Sequence, residues 1–210
     1  ALPISVLRMV RHYWATKGQP QKKVVIGRWN GYHGSTVAGV SLGGMKALHE
    51  QGDFPIPGIV HIAQPYWYGE GGDMSPDEFG VWAAEQLEKK ILEVGEENVA
   101  AFIAEPIQGA GGVIVPPAGY HRRMWKLCQR YDVLYISDEV VTSFGRLGHF
   151  FASQAVFGVQ PDIILTAKGL TSGYIPMGGV VVRDEIVEVL NQGGEFYHGF
   201  TYSGHPDRKS

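Results

Sequence analysis

Cysteine, long apolar runs and excess charge are scarce in this 210-residue sequence, and each scarcity excludes a class of protein. The single cysteine, Cys128, excludes an internal disulfide framework and fits a reducing, cytoplasmic location. No apolar run approaches the roughly 18 residues that a membrane-spanning helix needs, so we expect none. The net charge of -3 gives no sign of a nucleic-acid partner or of an anionic membrane surface.

Several ligand-binding motifs are also missing. The glycine-rich stretch 109–112 does not match the dinucleotide fingerprint G-x-G-x-x-G, and there is no phosphate loop of the form G-x-x-x-x-G-K-[ST]. The sequence has no G-x-S-x-G, no H-E-x-x-H and no paired cysteines, and its eight histidines are scattered. We therefore expect no metal site, and we interpret Cys128 as a core residue.

Short apolar runs alternate with helical patterns along the chain, of which 44% is hydrophobic. The predicted strands are Val24–Ile26, Val99–Ala104, Val133–Ile136, Ile163–Leu165 and Gly179–Val182. These runs are apolar on both faces, which is typical of strands that helices cover on both sides. The alternation predicts an α/β fold with a mostly parallel sheet.

The helices are predicted from their caps and their apolar spacing. Ser75-Pro76-Asp77-Glu78 combines a capping serine with an early proline and a glutamate three residues on, and Gly95 ends the apolar repeat that follows. Further helices are predicted over Val6–Trp14, over Tyr120–Tyr131 and from Asp184 to just before Gly193.

Chemically functional side chains follow four of the predicted strands. Tyr32 and His33 follow the first, Glu105 the second, Asp138 the third and Lys168 the fourth. Ligands of open α/β sheets bind beyond the carboxyl ends of the strands. We therefore expect these five side chains to meet at one edge of the sheet.

Taken singly, each residue has a second interpretation. Burying a charged lysine at a strand end costs free energy unless the amine is neutral or forms an ion pair. A neutral Lys168 would be a nucleophile toward carbonyls, whereas a charged Lys168 would pair with an acid such as Asp138. Asp138 could instead be a helix cap or turn residue. Tyr32 and His33 could be a packed aromatic ring and a hydrogen-bonded histidine.

Five segments, in order, resemble the class III pyridoxal-phosphate (PLP) aminotransferases, the ω-aminotransferases. They are Asn30–Thr36, Ile103–Gly109, Ser137–Gly148, Thr166–Gly179 and His198–Pro206. The resemblance covers about Leu7 to Pro206, and Gln64–Gly71 is similar to the putrescine and ω-amino-acid:pyruvate branch. It implies the large domain of PLP fold type I, with helices on both faces of the sheet.

The resemblance also implies roles for individual residues. Lys168 would form the internal aldimine with PLP and then move the proton between substrate and cofactor. Asp138 would pair with the pyridine nitrogen and keep it protonated. Val140 would pack on one ring face and Tyr32 near the other. His33, beside Tyr32, would belong to the cofactor-binding residues without being catalytic.

Other expectations follow from the same resemblance. Glu105 is expected near the cofactor, and Thr201 is expected to reach across a homodimer interface to the partner's cofactor phosphate. The implied reaction moves an amino group from an amine, diamine or ω-amino acid to a keto acid such as pyruvate, by a ping-pong scheme. Tyr66, Trp67 and Tyr68 could line a substrate channel, or they could be interfacial or core aromatics.

The sequence departs from the family pattern at both ends. Ala1–Ser5 stands where the family has a Gly-Ser/Thr-Glu-Ala-Asn run that binds the phosphate, although Ser5 could still cap a helix. The chain stops at Ser210, before the family's small domain with its carboxylate-binding arginine. We therefore expect residues 1–210 to be a partial large domain. A non-catalytic fragment, or another PLP reaction such as that of an aminomutase, decarboxylase or racemase, stays open as an alternative.

Overall fold

A computed structural model describes residues 2–199 and 201. Its helices and strands alternate along the chain as the sequence pattern predicts. They are, in order, α1 Leu2–Thr16, β1 Val24–Arg28, α2 Val37–Leu42, α3 Lys46–His49, β2 Ile59–Ile62, α4 Trp67–Glu70, α5 Pro76–Val94, a 3-10 turn Glu96–Asn98, β3 Val99–Ala104, α6 Tyr120–Arg130, β4 Leu134–Asp138, α7 Ala152–Ala155, β5 Ile163–Thr166, a 3-10 turn Lys168–Thr171, β6 Gly179–Val182 and α8 Asp184–Gln192.

The six strands form one sheet in the order β2-β1-β3-β4-β5-β6. Every neighbouring pair is parallel except β5 and β6, which are antiparallel. The predicted α/β fold with a mostly parallel sheet is therefore confirmed. The parallel arrangement brings the carboxyl ends of β1, β3, β4 and β5 to one edge of the sheet.

Two apolar cores lie on opposite faces of this sheet. In β3, Ile103 belongs to the core that α1 and α8 cover, whereas Phe102 belongs to the core that α5 and α6 cover. Successive side chains of a strand point to opposite faces, so a run that is buried throughout must be apolar throughout. All six residues of β3 are buried, as that argument requires.

The start and end of α5 follow the predicted signals. Ser75 caps the helix by accepting from the Glu78 amide at 3.3 Å, while the Glu78 carboxylate accepts from the Ser75 amide at 2.8 Å. Pro76 occupies the first helical position, where no intrahelical amide bond is lost. Gly95 ends the helix at φ 90°, a left-handed conformation that glycine adopts without strain.

Several details differ from the sequence prediction, and three of them concern β6, α1 and β2. The edge strand β6 is covered on one face only, because Val180 and Val182 pack on the core while Val181 is exposed. The helix predicted from Val6 begins at Leu2, so Ser5 lies within α1 and is not its cap. The short strand β2 was not predicted, since a histidine interrupts its apolar run.

Candidate active site

A cavity of about 590 Å³ opens beyond the carboxyl ends of β1, β3, β4 and β5. Its volume lies within the range of small-molecule and cofactor sites. It is lined by Pro3, Tyr32, His33, Gly34, Glu105, Gly109, Ala110, Val113, Asp138, Val140, Val141, Leu165, Ala167 and Lys168. The expectation that Tyr32, His33, Glu105, Asp138 and Lys168 meet at one edge of the sheet is therefore confirmed.

Lys168 is the first residue of the 3-10 turn that follows β5. It is the second residue past the strand and adopts a left-handed backbone with φ 41°, which is unusual for a non-glycine residue. Its side chain is exposed to the cavity, so the expected burial at a strand end is wrong. Lys168 begins the 3-10 turn that follows Ala167, and this turn has no buried residue.

Asp138 is the last residue of β4 and is only 6% exposed. One carboxylate oxygen, Oδ2, lies 2.7 Å from Nδ1 of His33, and the other, Oδ1, accepts from the Val140 amide at 3.1 Å. The alternative ion pair with Lys168 is thus wrong, since His33 occupies that partner position. The carboxylate is fixed from two sides at the floor of the cavity.

His33 is buried and connects the loop after β1 to the end of β4. The hydrogen-bonded-histidine interpretation is therefore correct, and the structure supplies the partner that spacing alone could not identify. A buried carboxylate needs hydrogen-bonded neighbours to be tolerated away from water. His33 meets this requirement for Asp138.

Tyr32 and Val140 lie on the cavity wall, both half-buried. The Tyr32 hydroxyl lies 3.1 Å from the Ser35 Oγ, so the ring is held by its own loop. Val140 is the second residue after Asp138, and its amide donates to Oδ1 of Asp138. The cavity therefore has a flat aromatic side chain and a branched apolar side chain in its lining, alongside Lys168 and Asp138.

Glu105 lines the same cavity, but both of its carboxylate oxygens accept from backbone amides. Oε1 accepts from the Tyr32 amide and Oε2 from the Gly109 amide, each at 2.9 Å. The side chain is 5% exposed. Its place near the candidate cofactor site agrees with the expectation from the sequence, while its contacts are with the protein.

Eight lining residues were not among the candidate site residues predicted from the sequence: Pro3, Gly34, Gly109, Ala110, Val113, Val141, Leu165 and Ala167. Ala110 lies in the glycine-rich stretch 109–112 after β3 and Val113 directly follows it, and the glycine spacing there fits no dinucleotide fingerprint. The position of this loop after a strand was the signal that could have revealed them. Val113 adopts φ 55°, a genuine outlier for a β-branched residue.

Other predicted site residues lie outside the cavity. Thr201 is exposed in a turn, and the segment expected to continue to Pro206 lies outside the described residues apart from its start. Tyr66 and Tyr68 are exposed, and neither lines the cavity. Trp67 packs on the core of α5 and α6 and donates to the Met74 carbonyl at 2.7 Å. The channel interpretation of these aromatics therefore has no support in the cavity lining.

A more open depression of about 850 Å³ lies on the other side of the β1 loop, lined by residues such as Trp29, Lys46 and Asp53. Beside it, the buried His61 stacks on Trp29 and bonds the Gly43 carbonyl at 2.7 Å. Burial is the main cause that lowers the pKa of His61 to about 4. This depression contains neither Lys168 nor Asp138, so we assign the chemistry to the smaller cavity.

Within residues 2–199 and 201, no group of three histidine, cysteine, aspartate or glutamate side chains is arranged to hold a metal ion. The helices that these residues form include none with both the length and the apolar composition of a membrane span.

The profile of the family "Aminotransferase class-III" matches residues 4–210. The chain belongs to this family. Class III aminotransferases depend on PLP. Membership of this family explains why the five segments occur in this order.

Two curated members illustrate the likeness. Putrescine–pyruvate aminotransferase of Pseudomonas aeruginosa is 84% identical over 202 residues, which are 96% of this chain and 44% of that protein. Diaminobutyrate–2-oxoglutarate transaminase of Halomonas elongata is 48% identical over 206 residues, which are 95% of this chain and 44% of that protein. The chain therefore spans less than half the length of these relatives.

Solved structures agree with the fold. A thermostable (S)-enantioselective ω-transaminase from Thermomicrobium roseum superposes with a TM-score of 0.90 at 44% identity, covering 94% of this chain and 44% of that one. An ω-transaminase from Pseudomonas jessenii gives 0.91 at 42% identity, with 94% and 45% covered. The α/β fold of the PLP-dependent transferases is therefore shown for this chain.

Proposed function

We propose that this chain forms part of the PLP-binding large domain of an aminotransferase that moves an amino group from an amine, diamine or ω-amino acid to a keto acid such as pyruvate. The observation that carries the proposal is that Lys168 and Asp138, from the ends of two neighbouring strands, line one cavity. The 84% identity to putrescine–pyruvate aminotransferase supports the donor and acceptor classes.

The side chains present fit the cofactor. A pyridinium nitrogen needs a carboxylate at the floor of its pocket, and Asp138 is buried there with both oxygens held. A planar ring needs apolar or aromatic walls, and Val140, Leu165 and Tyr32 lie in the lining. Pro3 of α1 also lines the cavity.

Each residue then has a physical task. When bound, PLP supplies an electron-accepting ring that makes a C–H bond of the substrate labile. Lys168 Nζ holds the cofactor covalently and then takes up and returns the proton. The Asp138 carboxylate holds a proton on the ring nitrogen, and His33 holds Asp138. Tyr32 and Val140 keep the ring plane fixed, which orients the reacting bond.

The finer features of the assembly are part of the same proposal. We infer a homodimer in which Thr201 contacts the cofactor phosphate of the partner subunit, and its exposure in this chain is compatible with that role. A cytoplasmic location is supported by the single, buried Cys128. The molar mass of the full-length protein, measured by light scattering, would be twice the subunit mass.

The test of Lys168 uses the full-length protein mixed with PLP. We expect a visible absorption band that borohydride converts to a permanent adduct, with the adduct on the peptide that contains Lys168. Lys168→Ala should lose both, whereas Lys46→Ala, which removes an exposed lysine from outside the cavity, should keep both. An adduct that persists in Lys168→Ala would refute the assignment.

A second measurement separates amino transfer from other PLP reactions. With an amine donor alone, the ping-pong scheme predicts about one equivalent of aldehyde or ketone per site, and turnover only after a keto acid is added. Release of carbon dioxide with continuous turnover on the donor alone would indicate a decarboxylase. No product at all, in protein that carries PLP on Lys168, would support the non-catalytic alternative.

A further inference from the structure

Two loops together form one wall of the cavity. The first, residues 29–34 after β1, contributes Tyr32, His33 and Gly34, and the second, residues 105–113 after β3, contributes Glu105 and the glycine-rich turn. We name them the tyrosine loop and the glycine loop.

Glu105 binds both loops at once. Its Oε1 accepts from the Tyr32 amide and its Oε2 from the Gly109 amide, at 2.9 Å each. Its own backbone carbonyl accepts from the buried Arg28 guanidinium at the end of β1. Hydrogen bonds to a carboxylate are stronger than neutral ones, and those at 5% exposure are little weakened by water.

Other contacts bring the two loops close but do not reach the cavity wall. Asn30 Nδ2 donates to the Gly111 carbonyl at 2.7 Å, and Gln108 Nε2 donates to the Trp29 carbonyl at 3.1 Å. A Cβ at Gly111 would lie 2.5 Å from the Asn30 carbonyl oxygen, so the loops are too close for any other residue there. Among the described contacts, only those of Glu105 bind the amide of Tyr32 itself.

We propose that Glu105 is a positioning residue that couples the tyrosine loop to the glycine loop and so holds the Tyr32 ring in place against the cofactor. This role rests on the proposed function, because the cofactor of that function is what the Tyr32 ring would contact. Glu105 acts on the cofactor through Tyr32, since both of its oxygens are already bonded to the protein.

The substitution Glu105→Gln tests the coupling with almost no change of shape. A glutamine amide offers one acceptor and one donor, so its NH₂ group must face one of the two backbone N–H groups and that bond is lost. We expect the hydrogen exchange of the Tyr32 or the Gly109 amide to become at least about tenfold faster, which corresponds to about 1.4 kcal/mol. The affinity for PLP should fall in parallel.

Glu139→Gln is the matched control. Glu139 is also a fully buried glutamate, and it also accepts from two backbone amides, those of Ala152 and Ser153, but it does not line the cavity. Both variants should lower the thermal midpoint of the full-length protein. Only Glu105→Gln should accelerate exchange in peptides containing Tyr32 and Gly109.

The proposal is overturned if Glu105→Gln leaves exchange at both amides unchanged, or if Glu139→Gln accelerates it equally, which would indicate general loosening. Should Glu105→Gln fail to fold, Glu105→Asp keeps the charge but shortens the side chain by one methylene, and the same pattern is expected. Exchange is measured without PLP, so it reports on the coupling even if Lys168 proves not to bind the cofactor.

Discussion

Asp138 and Glu139 are neighbouring acidic residues at the end of β4 that have opposite surroundings. Asp138 lies at the floor of the cavity, held by His33 and the Val140 amide. Glu139 is completely buried away from the cavity and accepts from the Ala152 and Ser153 amides at the start of α7, at 2.6 and 2.9 Å. Side chains alternate along an extended chain, so one carboxylate serves the candidate chemistry and the other the fold.

The comparison teaches that burial alone does not identify a functional carboxylate. Both side chains are less than 10% exposed, and both oxygens of each are hydrogen-bonded. What distinguishes them is the partner: Glu139 binds amides and hydroxyls of residues that do not line the cavity, whereas Asp138 binds a histidine on the cavity wall.

The largest effect is expected from Asp138→Asn, which tests one half of the comparison. The amide keeps the shape but cannot hold a proton on a pyridine nitrogen, so kcat/KM should fall by about 100-fold or more, or about 3 kcal/mol. The measurement is steady-state kinetics of the full-length protein with an amine donor and pyruvate. A thermal midpoint that drops as far as in Glu139→Gln would contradict a division of labour between the two acids.

The pH dependence of stability tests whether the buried His61, which does not line the cavity, contributes to the stability of the fold. The folded-state pKa of His61 is about 4, below the ordinary value of 6.5, so the unfolded chain binds the proton more readily. The contribution of His61 to the free energy of unfolding is therefore fully present above pH 6.5. It is lost as the pH falls from 6.5 toward 4, by at most about 1.4 kcal/mol per pH unit. Chemical denaturation at several pH values measures the slope.

The control for this titration is His61→Gln, whose amide can still donate to the Gly43 carbonyl. Its stability should depend less steeply on pH in the same interval than that of the native protein. An unchanged slope would mean that His61 remains accessible to protons in the folded state.

Glu139→Gln tests the other half of the comparison. One of its buried bonds to the Ala152 or Ser153 amide should be lost, at a cost of about 2 kcal/mol in the free energy of unfolding. The midpoint of thermal unfolding should fall by several degrees. Protein that still folds should form the borohydride-stable PLP adduct on Lys168, and its absence would place Glu139 in the site.

The smallest effect is expected from His33→Gln, which sharpens the comparison by removing the partner that Asp138 has and Glu139 lacks. Glutamine can still donate to the carboxylate, so kcat/KM should fall only about tenfold, through poorer positioning of Asp138. Rates as low as those of Asp138→Asn would show that His33 does more than hold the carboxylate. Rates equal to those of the native protein would show that the bond is dispensable.

Much of this protein followed from the sequence by itself. The strand β3 was predicted with its observed bounds because every residue is apolar, and α5 because Ser75, Pro76 and Gly95 mark its ends through local bonds. The convergence of Lys168 and Asp138 followed from topology, since parallel strands present their carboxyl ends at one edge. These features depend on local pattern and on chain order, which the sequence contains.

Only the tertiary structure decided which groups the site residues form hydrogen bonds with. The bond between His33 and Asp138 joins residues 105 positions apart, and that between Glu105 and Tyr32 joins residues 73 apart. The exposure of Lys168 goes with its place in the 3-10 turn after Ala167, and the antiparallel direction of β6 depends on how the chain returns to the sheet. Such contacts are set by packing between distant elements, so no local pattern predicts them. The sequence therefore determined which chemical groups meet, and the fold determined what each group holds.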